Sequence, residues 1–145
     1  MYKVRVERLI DKPIDDVFEI LTNHAQYTQF PGIKESTLLE PGNTEPNGEG
    51  ALRYIDAGKM RLKERIIGFE RPNSMAYHIE SSEPFFIDLK KGEITFTEEQ
   101  GGTRVIWVSE GYIKTPIIGP LLDRLFEGQF AQGFGAMLKH VAKAS

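Results

Sequence analysis

The chain contains no cysteine, which excludes a disulfide framework, a thiolate zinc site, a cysteine nucleophile and a cysteine-held iron–sulfur cluster, and leaves the redox compartment open. An excess of one charge is also missing. The 18 Lys+Arg against 21 Asp+Glu give a formal net charge of -3 at pH 7, so no broad basic surface is available to neutralise phosphates, and nucleic acid is not an expected partner. Long apolar runs are absent as well: the uncharged stretches at 115–122 and 129–138 are short and interrupted by glycine. A bilayer span needs roughly 18 to 20 apolar residues, so stable membrane insertion is not expected. The opening Met1 to Ile10 alternates charged and apolar residues in place of the apolar stretch of a signal peptide, and the expected location is cytoplasmic. Repeats and low-complexity tracts are lacking, and the one Pro/Gly-rich stretch, Glu40 to Gly50, has the length of a loop between strands.

What is present is an ordinary globular composition, 40% hydrophobic and 27% charged over 145 residues. That length fits one domain, read as residues 1–145, able to bury about 68–70% of its unfolded surface. Tyr2, Val4 and Val6 alternate with Lys3, Arg5 and Glu7, the pattern of a strand with one face in a core. Pro13 then supplies a favourable first helical position, Asp15 and Asp16 suit the positive end of a helix, and Ile14, Val17, Phe18 and Leu21 recur at helical spacing. Asn23 ends this helix, and a second short one runs over His24 to Phe30 before Pro31-Gly32.

From Ile33 to Tyr112 the pattern predicts about six further strands, making about seven in all, with turns at Pro41 to Gly48, Ala57-Gly58, Pro72-Asn73, Ser81 to Pro84 and Gly101-Gly102. Connectors this short require antiparallel neighbours. Apolar parity moves from Phe85, Ile87 and Leu89 to Ile94 and Phe96, which predicts a bulge near Lys90 to Gly92 and a curved sheet. Past Pro116 the period becomes helical, with Ile118, Leu122, Phe126, Phe130, Phe134, Met137 and Val141 on one stripe. A helix from Leu121 to Ala144 would be about 36 Å long, enough to cross a small sheet. The fold class is therefore α+β: a curved antiparallel sheet around a long C-terminal helix, with two short helices after the first strand.

This order of elements resembles the START-like helix-grip superfamily, which includes polyketide cyclases/dehydrases and lipid-transfer domains. The likeness is carried by the run from Pro13 to Leu21, Tyr27 with Phe30-Pro31-Gly32, Glu64-Arg65-Ile66, Gly102 to Trp107, and Thr115 to Leu122. The resemblance implies a cavity for a hydrophobic ligand between helix and sheet. It also implies an inward indole at Trp107. The coenzyme-Q-binding branch carries a tryptophan-cysteine pair after the second short helix, whereas Gly32-Ile33 follows Pro31 here. The aromatase/cyclase branch uses scattered pocket residues with no compact motif, so no catalytic residue is carried over.

On the last helix, Phe126, Phe130, Phe134 and Met137 form an aromatic stripe that fits core packing or a ligand wall equally. Gly133 falls on that stripe by spacing, and Gly128, Gly133 and Gly135 together disfavour the helix by about 3 kcal/mol. Close packing on the sheet and room for a ligand or for helix flexing both explain them. Parity through Met60, Leu62, Glu64 and Ile66 places a carboxylate in an apolar row. Glu64 either turns to solvent through a bulge or points inward, and inward it needs neutralisation or a partner such as Arg53 or Arg104. Tyr54, Tyr77, Tyr112 and Trp107 offer apolar bodies with polar tips. The three histidines, His24, His78 and His140, lack metal-site spacing, no G-x-S-x-G occurs, and the glycines precede no P-loop lysine. No metal and no cofactor is expected.

The expected function is binding or transport of a small lipophilic molecule (a lipid, quinone or polyketide-like compound) by a monomer or weak homodimer. Its predicted contacts are Tyr54, Met60, Leu62, Glu64, Tyr77, Trp107, Phe126, Phe130, Phe134 and Met137. Two alternatives stand beside it: a polyketide cyclase/dehydratase-type enzyme in which Glu64 or Tyr77 moves protons, and a protein-interaction module using outward residues such as Arg61 and Lys63.

Overall fold

The computed structural model describes residues 1–143. Seven antiparallel strands form one sheet: β1 (Tyr2–Ile10), β2 (Glu35–Glu40), β3 (Leu52–Asp56), β4 (Arg61–Glu70), β5 (Ser74–Glu83), β6 (Phe86–Glu99) and β7 (Gly102–Lys114). Their spatial order is β1-β7-β6-β5-β4-β3-β2, a meander whose first strand closes onto the last. Between β1 and β2 lie helix α1 (Ile14–Thr22) and a 3₁₀ helix (His24–Gln29); helix α2 (Gly119–Lys143) follows β7. This is the predicted helix-grip arrangement. Among the described residues no helix is long and apolar enough to cross a membrane.

Curvature comes from register shifts between Leu38 and Glu40, Lys63 and Glu64, Ile66 and Gly68, and Leu89 and Lys91. The last of these is the bulge that the parity change predicts, and each increases local twist. The β6–β7 hairpin turns at Gln100-Gly101, both at positive φ (53° and 80°), which a two-residue hairpin loop demands. The turn thus sits one residue earlier than predicted, with Gly102 already in β7. Ser81, placed in a turn by sequence, extends β5 instead, since β5 continues to Glu83.

Helix α1 buries Ile14, Val17, Phe18, Leu21 and Thr22, and Phe18 meets Phe96 edge-on with ring centroids 5.0 Å apart. Pro13 occupies the capping position just before the helix. Helix α2 begins two residues before Leu121, and Ile118, predicted on its inner stripe, precedes the helix and is exposed. The predicted last residue, Ala144, lies outside the described residues. Asp123 Oδ1 accepts the Ile113 N–H (2.7 Å) and Oδ2 meets the N-terminal ammonium (3.2 Å), while Glu127 Oε1 accepts the Lys3 N–H (2.7 Å). These contacts fix the first turns of α2 against β7 and β1, so that its aromatic stripe faces the concave side of the sheet.

The glycines of α2 need a different explanation from either predicted one. Gly128 and Gly133 are exposed, Gly135 is half-buried, and a Cβ added at any of the three would meet nothing within 4 Å. They neither permit close packing nor leave a gap toward the sheet. Gly133 is about 60° around the helix from the centre of the stripe at 3.6 residues per turn, and a helix touching a sheet along a narrow line leaves that flank in water.

Candidate functional site

The concave face of the sheet carries a polar seam within an apolar wall. Arg53 of β3 and Glu64 of β4 are direct cross-strand partners, as strand alternation and register place them on the same face. The Arg53 Nε–H donates to Glu64 Oε1 at 3.0 Å, and Nη2 approaches the same oxygen at 2.9 Å. Only 3% of Arg53 and 8% of Glu64 are exposed. Glu64 therefore points inward, and the bulge beside it leaves its side chain on the buried face. Its partner is Arg53; Arg104 lies on the convex face, held by Glu99 (2.6 Å) and Glu7 (2.9 Å).

Beside this pair the chain assembles two further polar side chains, Tyr27 and His24. The Arg53 guanidinium lies 4.9 Å from the centroid of the Tyr27 ring, a cation–π placement strengthened by the lack of water. The Tyr27 hydroxyl donates to the Leu21 carbonyl, which joins the 3₁₀ helix to α1. Burial pushes the Tyr27 hydroxyl above the usual tyrosine range. Burial opposes the charge on Arg53, but Tyr27 and Glu64 outweigh it and hold the guanidinium protonated. His24, 1% exposed, precedes Tyr27 by three residues and so lies on the same side of the 3₁₀ helix. Burial first, and then the nearby Arg53 charge, lower its pKa to about 4, so the imidazole is neutral at physiological pH.

Three buried nitrogens in this cluster have no hydrogen-bond partner among the described residues: Arg53 Nη1, His24 Nδ1 and His24 Nε2. Asn47, close to His24, gives its N–H to Asn23 Oδ1 (3.4 Å). Each such orphaned group costs about 1–3 kcal/mol.

On the other side of Glu64 the seam continues through Tyr77 of β5, whose hydroxyl accepts the Trp107 indole N–H at 2.9 Å. Burial, with Glu64 adding to it, raises the Tyr77 pKa far above its ordinary value. The ring is positioned by Gly92, where a Cβ would stand 2.8 Å from Tyr77 Cε2, so only glycine admits it. Trp107 is inward and lies flat on Phe134 of α2, with centroids 4.2 Å apart and planes 5° from parallel. Phe130 stacks between Phe134 (6.2 Å) and Phe126 (5.6 Å) and meets Tyr2 edge-on at 5.2 Å. Phe126, Met137, Met60 and Tyr77 are buried, while Leu62, Phe130 and Phe134 are half-buried against the same core.

Nine of the ten predicted contact residues thus share the concave side. The exception is Tyr54, which stands on the convex face in register with Thr37 and Lys63, because Arg53 and Ile55 take the buried parity of β3. Tyr112 is likewise outward, beneath Lys114. Arg53 as a member of the site, Tyr27 and His24 are the residues that sequence reasoning passed over. A groove of about 330 Å³ opens elsewhere, at the N-terminal end of α2 beside Met1, Tyr112, Lys114, Pro120 and Arg124, and none of the ten lines it.

The sequence profile of a family described as polyketide cyclase / dehydrase and lipid transport matches residues 1–145. Among solved structures, a START superfamily protein from Mycobacterium smegmatis superposes with a TM-score of 0.78 at 12% identity, covering 99% of this chain and 98% of that one. TTHA0849 from Thermus thermophilus gives 0.76 at 19% identity, covering 97% and 94%. DynU16, from the dynemicin biosynthetic locus, gives 0.70 at 16% identity, covering 97% of this chain and 47% of its own. These likenesses concern the fold. No curated protein matches the sequence.

Proposed function

The chain belongs to the polyketide cyclase/dehydrase and lipid transport family, and from that premise we propose that it binds a small lipophilic molecule between the concave sheet and α2 and acts as its carrier or sensor. The observation that carries this reading is the Trp107–Phe134 stack with Phe130 and Phe126 in line behind it. Four aromatic rings along one helix–sheet seam offer a flat lipophile several faces on which to intercalate, at roughly 25 cal/mol per Å² of apolar surface removed from water. Two of the rings are only half-buried. Access requires α2 to move off Trp107, or the loop before β3 to shift, where Asn47 touches Asn23 at the α1 end of the seam.

A carrier fits the seam better than proton-transfer catalysis by the two predicted groups. Glu64 is committed to Arg53, and Tyr77 is held protonated by burial and by Glu64. Tyr77 is thus not poised near neutral pH as a general acid or base requires.

Native mass spectrometry of gently purified protein tests the proposal, with extraction and identification of any released molecule. A lipophile of defined mass, displaced in the F134A variant, is the expected result. Empty protein that also refuses quinones, fatty acids and polycyclic aromatics overturns it and turns attention to the convex face, where Arg61 meets Glu83 at 3.3 Å and Lys63 is exposed.

A further inference from the structure

The carrier reading says nothing of how a ligand's polar end is recognised, and the orphaned nitrogens beside the Arg53–Glu64 pair bear on that. Arg53 spends Nε and Nη2 on Glu64 and keeps both hydrogens of Nη1 unused. The neutral imidazole of His24 adds one unused N–H, whichever nitrogen carries it. Arg53 and His24 are 3% and 1% exposed, so bulk water does not reach them. Buried N–H donors on two facing residues therefore lack a partner at this place, while Glu64 Oε1 is engaged and the Tyr27 hydroxyl gives its proton to Leu21.

The charge count then selects among acceptors. The guanidinium is already balanced by Glu64, and His24 carries no charge, so the cluster is neutral as it stands. A carboxylate or phosphate seated there would be a buried, unbalanced charge, which is strongly unfavourable. A carbonyl oxygen brings two lone pairs and no net charge. It can accept from Nη1–H and from the imidazole together.

We propose that Arg53 Nη1 and His24 form the polar anchor of the binding seam and take the neutral carbonyl oxygen of a ketone, ester or quinone whose apolar body lies along Tyr77, Trp107 and Phe134. This rests on the lipophilic-ligand reading and narrows it to uncharged carbonyl compounds over fatty acids and other anions. Tyr77 links the two halves of the site, bonded to Trp107 on one side and diagonal to Glu64 across the β4–β5 ladder, where Glu64 pairs with Ile79 and Tyr77 with Ile66.

Three probes of matched length test the assignment by calorimetry on the intact protein: a phenylalkyl methyl ketone, the corresponding phenylalkane and the corresponding phenylalkanoate. The ketone is expected to bind at least tenfold more tightly than either of the others. Its carbonyl stretch, followed with a ¹³C-labelled probe, should move to lower wavenumber than in hydrocarbon solvent. In H24L the ketone should lose most of its advantage. The infrared shift in the unmodified protein decides the matter if H24L fails to fold. Equal affinity for ketone and phenylalkane would show that the nitrogens merely hold water, and would overturn the anchor while leaving the carrier reading in place. Tightest binding of the phenylalkanoate would overturn it in favour of an anion site. Failure of all three to bind overturns both the anchor and the carrier reading.

Discussion

Trp107 and Phe134 are parallel to within 5° at 4.2 Å, and this stack is where the sheet and the C-terminal helix meet face to face. Trp107 is the chain's one tryptophan; its indole N–H is used by Tyr77. A single buried, hydrogen-bonded indole packed flat against one phenylalanine is a built-in optical reporter of whether the seam is open.

F134A should shift the tryptophan emission to longer wavelength and destabilise the fold by about 3 kcal/mol, the lower end for removing a packed phenyl ring, since Phe134 is half-buried. Y77F should cost about 1–3 kcal/mol by leaving the indole N–H without its acceptor in a buried site. Emission spectra with urea titrations check both. An unchanged spectrum in F134A would mean that the stack does not exist in solution.

The Arg53–Glu64 pair predicts non-additivity. Removing one partner strands the other as a buried charge, so R53M or E64L alone should cost about 3–5 kcal/mol, whereas R53M/E64L should be close to neutral. Chemical denaturation of the three variants and the parent completes the cycle. Additive losses would place the pair in water.

How far this site is legible in the sequence depends on what each residue must satisfy. The stripe of α2 and the bulge after Leu89 are legible because apolar burial imposes a period, and a change of parity is visible without coordinates. Arg53 is not, because β3 offers two mixed rows, Ala51-Arg53-Ile55 and Leu52-Tyr54-Asp56, and tyrosine is by type the better inward residue. The deciding fact is non-local: Glu64 of the next strand faces the same way and needs a cation. A cross-strand search for an acid–base pair within apolar rows is the signal that would find it. His24 gives no such signal, since a histidine in a short helix reads the same buried or exposed. Gly133 misleads for the opposite reason, as spacing alone does not say how wide a strip of helix the sheet covers.

His24 makes stability depend on pH in a defined window. Its pKa is lowered from 6.5 in the unfolded chain to about 4 in the fold, so the unfolded state binds the proton first. The stabilisation is complete above pH 6.5, declines as pH falls from there toward 4, and levels off below that, a loss of about 3 kcal/mol across the window. The carboxylates whose pKa is lowered, Glu7, Glu80, Asp88 and Glu99, add their own losses only below their ordinary values, 4.5 for the glutamates and 3.8 for the aspartate. Between pH 6.5 and 5 the slope is therefore assigned to His24, and H24L should flatten it. Urea midpoints measured across that range decide the point; a parent protein with no slope there would mean that His24 is solvated.

The outward glycines of α2 separate stability from access. An alanine at Gly128, Gly133 or Gly135 meets no neighbour and spares the helix the conformational entropy of glycine, so each replacement should stabilise the fold by about 0.5–1 kcal/mol. Their nearly independent positions on the solvent side make G128A/G133A/G135A roughly additive. If α2 must bend to part Phe134 from Trp107, the same triple variant should admit ligand more slowly with little change in equilibrium affinity, because the lining side chains are untouched. Stopped-flow tryptophan quenching by a hydrophobic ligand separates the rate from the affinity. A triple variant that is more stable yet binds at the parental rate would assign access to the loop around Asn47 and leave the helix as a fixed wall.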